Sequence, residues 1–235
     1  SSVGLFIASD SSELKDYLGE ALADYSTFRL NAPIVHLDRS DKDAFEPIYT
    51  EQDGLAAWRR CKGIDREVMF EPAPGFRARL WNAGHVLGSA SVELQAGGVS
   101  VMCSGDLGPE HRAFLRDPNG PSGFDFVICE STYGSREREE VTLEERRKQL
   151  GAEVQAAITR GGNLVIPTFA LERTQELLFD LAYLINSEQI PHVPVFIDSP
   201  LASEITDVFA RYSKDLEGTG GTNIFAHPAF HFTQN

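Results

Sequence analysis

A change of hydrophobic period near Gly134 constrains this chain more than any other feature of its sequence. Before it, apolar residues come in short strand-length runs. Phe76, Ala78 and Leu80 alternate with Arg77 and Arg79, the period of a strand with one wet face, and Val92 and Leu94 repeat the pattern. Val99–Cys103 and Phe126–Cys129 are more uniformly apolar and predict strands covered on both sides. After Gly134, helix and strand signals alternate: a Thr142/Glu145 capping box ahead of Leu150, Val154 and Ile158, a strand over Asn163–Ile166, a helix over Leu171–Ile185 with Leu171, Leu178, Leu181 and Ile185 on one stripe, and a strand over Val193–Ile197. Ser199 then caps a helix whose first residue is Pro200, where a missing N–H does no harm. The class is α/β, with a β-rich layer system over 1–136 and a parallel sheet with flanking helices over 137–235.

The segment before residue 67 is less regular. Leu5–Ala8 reads as a short strand, and Asp10 with Glu13 can cap a helix carrying Leu14, Leu18, Ala21 and Leu22. Residues 23–49 are irregular, Thr50 opens a short amphipathic helix through Trp58, and strands begin near Glu67. The apolar runs are too short to span a membrane, and the first ten residues lack the basic and apolar regions of a secretory signal, so a cytoplasmic home is expected. Cys61, Cys103 and Cys129 form no C-x-x-C pair, which argues against a disulfide framework or zinc ribbon; Cys103 and Cys129 read as small buried hydrophobes.

Net charge is −14, from 35 acidic and 21 basic residues, so the whole molecule does not attract phosphates and any nucleic acid must bind locally. Basic residues gather at Arg59, Arg60 and Lys62, at Arg77 and Arg79, and over Arg136–Lys148, where interleaved glutamates indicate a solvated helix face.

Three segments place ligand-capable side chains at strand ends: Asn82-Ala83-Gly84-His85, Ser104-Gly105-Asp106 and Glu130-Ser131-Thr132-Tyr133-Gly134. Small residues beside each candidate allow tight turns and close approach to an ion. Taken singly, a residue like His85 is more often a satisfied loop histidine, one like Asp106 more often a turn residue and one like Glu130 more often a helix-cap or salt-bridge carboxylate.

Their order and context, G-H-V-L-G-S-A, S-G-D-L-G and E-S-T-Y-G, followed by Gly161–Ala170, Glu172–Glu176 and Asp198–Ala202, resemble the β-CASP nucleases over residues 76–210. The resemblance implies a partial αββα metallo-β-lactamase domain over 1–136 and a partial β-CASP domain over 137–235, with the active site between them. It makes His85 and Asp106 ligands of a two-Zn²⁺ centre, both suitable zinc donors. Glu130 becomes the catalytic acidic residue at the domain junction, partner in relatives to a histidine of a later motif. The H-x-H-x-D-H segment and the late histidine motifs of that family are absent, so zinc is expected to be poorly held or absent and this piece inactive. His227 and His231 stand four apart with Pro228 between them, and His36, His111 and His192 have no partner at ligand spacing.

The implied activity is an RNA phosphodiesterase, an endonuclease in preference to a 5′-exonuclease, because E-S-T-Y-G and the strand with Pro167 and Arg173 resemble the RNA-processing branch. The expected partner is RNA, with single-stranded DNA as the alternative substrate and a homodimer as one assembly. A second reading is a catalytically silent scaffold in an RNA-processing complex. A small-molecule hydrolase is disfavoured by the segment after Gly134.

Overall fold

The computed structural model describes residues 49–110, 112–137 and 141–233, together with the backbone of 5–8. The capped helix expected from Asp10 to Leu22, the irregular stretch that follows it up to residue 48, and His36 and His111 lie outside the described residues. In chain order the elements are β1 (Leu5–Ala8), α1 (Glu51–Trp58), β2 (Phe70–Ala73), β3 (Phe76–Asn82), β4 (Ala90–Ala96), β5 (Val99–Cys103), β6 (Phe126–Ile128), α2 (Leu143–Arg160), β7 (Leu164–Pro167), α3 (Arg173–Asn186), β8 (Val195–Asp198), α4 (Pro200–Arg211) and β9 (Phe230–Phe232).

The first sheet runs β2-β3-β4-β5-β6, antiparallel except for the parallel β5–β6 pair. Alternation along β3 and β4 is present, but the buried positions on β4 are polar. Glu93 is buried because Trp81 Nε1 donates to its Oε2 at 2.8 Å and Gln95 Nε2 to its Oε1 at 2.7 Å. Val92 and Leu94, on the opposite face, are only half-buried. The expectation that β6 is covered on both sides is corrected: Phe126, Val127 and Ile128 are 61%, 64% and 63% exposed. It is an edge strand, and little among the described residues packs on either of its faces. For the same reason Cys129 is exposed and Cys103 half-buried. Helix α1 opens after Thr50 and runs through Trp58 as expected, with a capping box in which Thr50 Oγ1 accepts from the Asp53 N–H, yet none of its residues is buried, so its amphipathic face packs on nothing described.

The second sheet is parallel throughout, in the order β7-β1-β8-β9. Helix α2 starts at the Thr142/Glu145 capping box and ends at Gly161, whose φ of 68° places it in the left-handed region. Ser199 Oγ accepts from the Ala202 N–H at 3.1 Å and starts α4 with Pro200 at its first turn. Helix α3 starts at Arg173, leaving Leu171 outside it and 46% exposed, against its expected place on the apolar stripe.

The core lies with this second sheet: Val154, Leu178, Leu181, Leu184, Val195, Ile197 and Phe209 are almost wholly inaccessible. Two segments from the N-terminal side of residue 136 belong with this second body, one through backbone pairing in its sheet and one through side chains in its core. One is β1. The other is Ala113–Leu115, whose Phe114 ring lies 5.5 Å from Phe179 and, edge-on, 5.9 Å from Phe209. Burying that phenyl contributes about 1.5–3 kcal/mol. On its other side the same segment is held to the first sheet, where Asn82 Nδ2 donates to the carbonyls of Arg116 and Asp117, each at 2.9 Å. The two layer systems therefore interlock through residues 112–119.

Candidate functional site

The three strand-end segments meet on one rim. Asn82 ends β3, Cys103 ends β5 and Ile128 ends β6, so the parallel β5–β6 pair and the β3–β4–β5 ladder deliver the loops that follow them to one side. The loops touch through backbone: Gly108 N–H donates to Ala83 O at 2.8 Å. A Cβ on Gly108 would stand 1.8 Å from Gly84 O, and Gly84, at φ +64°, is itself pressed against Pro118. Only glycine fits this approach.

His85 Nε2 and Asp106 Oδ2 face each other at 4.0 Å, with side chains 45% and 78% exposed. The His85 loop is shaped by Ser89, whose Oγ accepts from the His85 and Val86 amides at 3.0 and 3.2 Å. Glu130 stands behind Asp106 and clasps its loop: Oε1 accepts from Leu107 N–H and Oε2 from Thr132 N–H, each at 3.0 Å. Hydrogen bonds from Thr132 and from the Leu107 amide, with a smaller contribution from the charge of His85, hold the Glu130 carboxyl down to about 2. It is a permanent anion at neutral pH, able to accept a proton-bearing partner and unable to act as the acid itself.

An imidazole nitrogen and a carboxylate oxygen opposed at this distance, both open to solvent, fit two ligands of a zinc ion. Among the described residues no group of three or more such donors gathers around them. His227 and His231 do not join the rim. His227 Nδ1 accepts from Ala229 N–H at 3.2 Å, Nε2 lies 3.3 Å from Asn186 Oδ1, and the ring stacks on His192. Burial and the nearby His192 push its pKa down. His231 stacks on Phe196.

Residues that sequence reasoning missed lie directly behind the rim. Arg112, whose side chain is 4% exposed, donates from Nη1 to the carbonyls of Gly84 and His85 and from Nε to Glu176 Oε1 at 2.9 Å; its Nη2 lies 3.3 Å from Glu172 Oε1. Glu176 also receives Arg173 Nη1 at 2.8 Å and approaches Arg146 Nη1 at 3.8 Å. Burial alone would raise the Glu176 pKa, but Arg112, Arg146 and Arg173 outweigh it and the net shift is downward. Arg146 and Arg147 both bind Asp180, at 2.8 Å, so the stretch expected to be a solvated face turns two arginines inward. Glu172 sits at φ 66° and ψ −54°, and the Arg173 N–H donates to Leu171 O across it, a strained γ-turn.

Comparison with known proteins gives the same direction. The Beta-Casp domain matches residues 174–235. The chain is 30% identical over 185 residues to Endoribonuclease YSH1 of Mycosarcoma maydis, covering 78% of this chain and 21% of that protein. It is 36% identical over 129 residues to Ribonuclease TTHA0252 of Thermus thermophilus, covering 55% of this chain and 29% of the relative. To the cleavage and polyadenylation specificity factor subunit 3 of Dictyostelium discoideum it is 37% identical over 140 residues, 59% of this chain and 18% of that protein. The chain thus spans less than a third of the length of each of these relatives.

Proposed function

This chain is homologous to the metallo-β-lactamase-fold β-CASP nucleases of RNA processing, and from that premise we propose that it is part of a zinc-dependent endoribonuclease. His85 and Asp106 are ligands in its metal centre and Glu130 is the junction carboxylate. The observation that carries this reading is the convergence of the three side chains on one rim, with His85 and Asp106 opposed at 4.0 Å and Glu130 clasping the Asp106 loop. Zinc, when bound, supplies Lewis acidity toward the phosphodiester and a water of lowered pKa. The work of the chain's own residues is positional. Ser89 shapes the loop that presents His85, and Glu130 fixes the loop that presents Asp106. Because Glu130 stays ionised near neutrality, it can orient and charge-stabilise a histidine acid that gives a proton to the leaving oxygen.

We keep 1–136 and 137–235 as the metallo-β-lactamase and β-CASP portions, with β1 and residues 112–116 crossing between them. No helix among the described residues is long and apolar enough to cross a membrane. RNA is the proposed substrate, with cytoplasmic location, single-stranded DNA cleavage, exonuclease action and a homodimer as subordinate readings.

The chain by itself is expected to hold zinc weakly and to cut RNA poorly, because the described residues offer two ligands where a closed site needs four. Metal analysis after dialysis and an assay on labelled RNA test this. Tightly held stoichiometric zinc would overturn the two-ligand account, and an RNA-cleaving longer form whose activity survives His85→Ala and Asp106→Ala would overturn the site. The second reading is a catalytically silent scaffold; RNA-complex assembly without cleavage by the longer form would support it.

A further inference from the structure

The rim histidine is carried by the first sheet, but its backbone is held by a side chain whose other contacts lie on α3 of the second. Arg112 opens the segment that inserts Phe114 into the second core, so its own position is fixed by that insertion. From there one guanidinium arm donates to the Gly84 and His85 carbonyls, while Nε is bonded to Glu176 and Nη2 faces Glu172. Arg112, Glu172 and Glu176 have side chains only 4%, 5% and 6% exposed, where a hydrogen bond to a charge is stronger and harder to break than at the surface.

A guanidinium is suited to this task because it is planar, always charged and able to donate in several fixed directions at once. Glu176 in turn holds Arg173, which is 54% exposed at the start of α3. A continuous chain of contacts therefore runs from the His85 backbone through Arg112 and Glu176 to a solvent-facing arginine on the other layer system.

We propose that Arg112 is a positioning residue, a buried strut that fixes the His85 loop to α3 so that the metal-ligand histidine and the arginine surface of the second layer system move as one body. The strut touches neither substrate nor metal; it acts through the carbonyls of residues 84 and 85. Its functional meaning rests on the proposed role of His85, and the test separates the two.

The test uses amide hydrogen exchange in this chain, read at His85 and Val86, whose N–H groups donate to Ser89 Oγ. Three variants are compared with the parent. Glu176→Gln weakens the strut from its distant end. Arg112→Lys keeps one positive charge but loses the second arm. Arg112→Met with Glu172→Gln and Glu176→Gln removes the strut without leaving a buried unpaired charge. Loss of a charge-assisted hydrogen bond should speed exchange at His85 and Val86 by ~10–100-fold, leaving the β3–β4 ladder and α3 unchanged. Unchanged exchange at these two amides, or an acceleration no larger than that in the ladder and α3, overturns the proposal.

A parallel titration of the histidine-labelled chain with zinc chloride reads the His85 ring by NMR. A zinc response at His85 that weakens in all three variants supports positioning of a ligand. A response of equal strength in parent and variants refutes it. No response at His85 in a longer form that carries the remaining ligands overturns the metal-ligand role, while the exchange result still decides the strut.

Discussion

Glu172 should make this protein less stable as pH rises through neutrality, the reverse of a usual surface-paired carboxylate. Burial pushes its carboxyl from 4.5 up to about 7, more than Arg112 can offset, while neighbouring Glu176 adds repulsion. Arg112 is shared unequally: it gives Glu176 a hydrogen bond at 2.9 Å and leaves Glu172 an ion pair at 3.3 Å without hydrogen-bond geometry. The folded state therefore binds a proton that the unfolded chain has already released over the interval from 4.5 to about 7. Stability attributable to this group is greatest below the unfolded value and is lost as pH climbs through the folded one. At 1.36 kcal/mol for each unit, the full loss is about 3 kcal/mol. Glu172→Gln removes the titration, so urea midpoints of parent and variant should diverge between about pH 5 and pH 8, the variant becoming the more stable at the upper end. Glu172→Gly adds relief of the γ-turn strain, about 1 kcal/mol. Parallel pH dependence of parent and Glu172→Gln would refute the reasoning, since it would mean that Arg112 keeps Glu172 ionised throughout.

Glu130 behaves oppositely: its folded value of about 2 means that its contribution is present above the unfolded 4.5 and is lost only as pH falls toward 2, so the Leu107 amide shift should titrate near 2, and a midpoint near 4.5 would contradict the clasp. Gly108→Ala places a Cβ 1.8 Å from Gly84 O and should lower stability by several kcal/mol in thermal unfolding, of the order of the larger overpacking and strain penalties, whereas Gly63→Ala, with nothing within 4 Å, should be close to neutral. Arg173→Ala should weaken RNA binding by the longer form and reduce the salt slope of log K by about one unit; an unchanged slope would show that Arg173 serves only Glu176.

What could be read in the sequence was whatever local chemistry fixes. The Thr142–Glu145 box and the Ser199–Pro200 start are decided by side chains within four residues of the backbone groups they satisfy, and both form where the pattern places them. The rim was legible because small residues flank His85 and Asp106 and their close approach needs glycine at 84 and 108. The cover on β6 was misjudged because a uniform apolar run states a preference for burial without saying whether a covering layer is at hand. Arg112 escaped for a related reason. Its partners lie 27, 28 and 64 residues away, and no periodicity links them. Two signals stood in the sequence: an arginine directly preceding the apolar Ala113–Leu115, and acids at 176 and 180, one turn apart on a helix otherwise rich in leucine.

Those acids also bear on the proposed RNA substrate, which requires an acidic chain to offer a cation to a phosphodiester. Four arginines, Arg112, Arg146, Arg147 and Arg173, surround three acids, Glu172, Glu176 and Asp180, so the cluster carries one net positive charge when all three acids are ionised and a second when Glu172 is protonated. The buried acids do not cancel the arginines toward solvent equally, because Arg112 is enclosed while Arg173 stays 54% and Arg146 36% exposed with further N–H donors. Of the four, Arg173 is the one whose side chain is mostly open to solvent. A molecule of net charge −14 can thereby present a local positive surface beside the rim without a basic tract, and the acids that hold the arginines in place are what keep that surface oriented. Replacing Glu176 should accordingly weaken phosphate recognition even though it removes a negative charge, an outcome that simple charge counting would predict with the opposite sign.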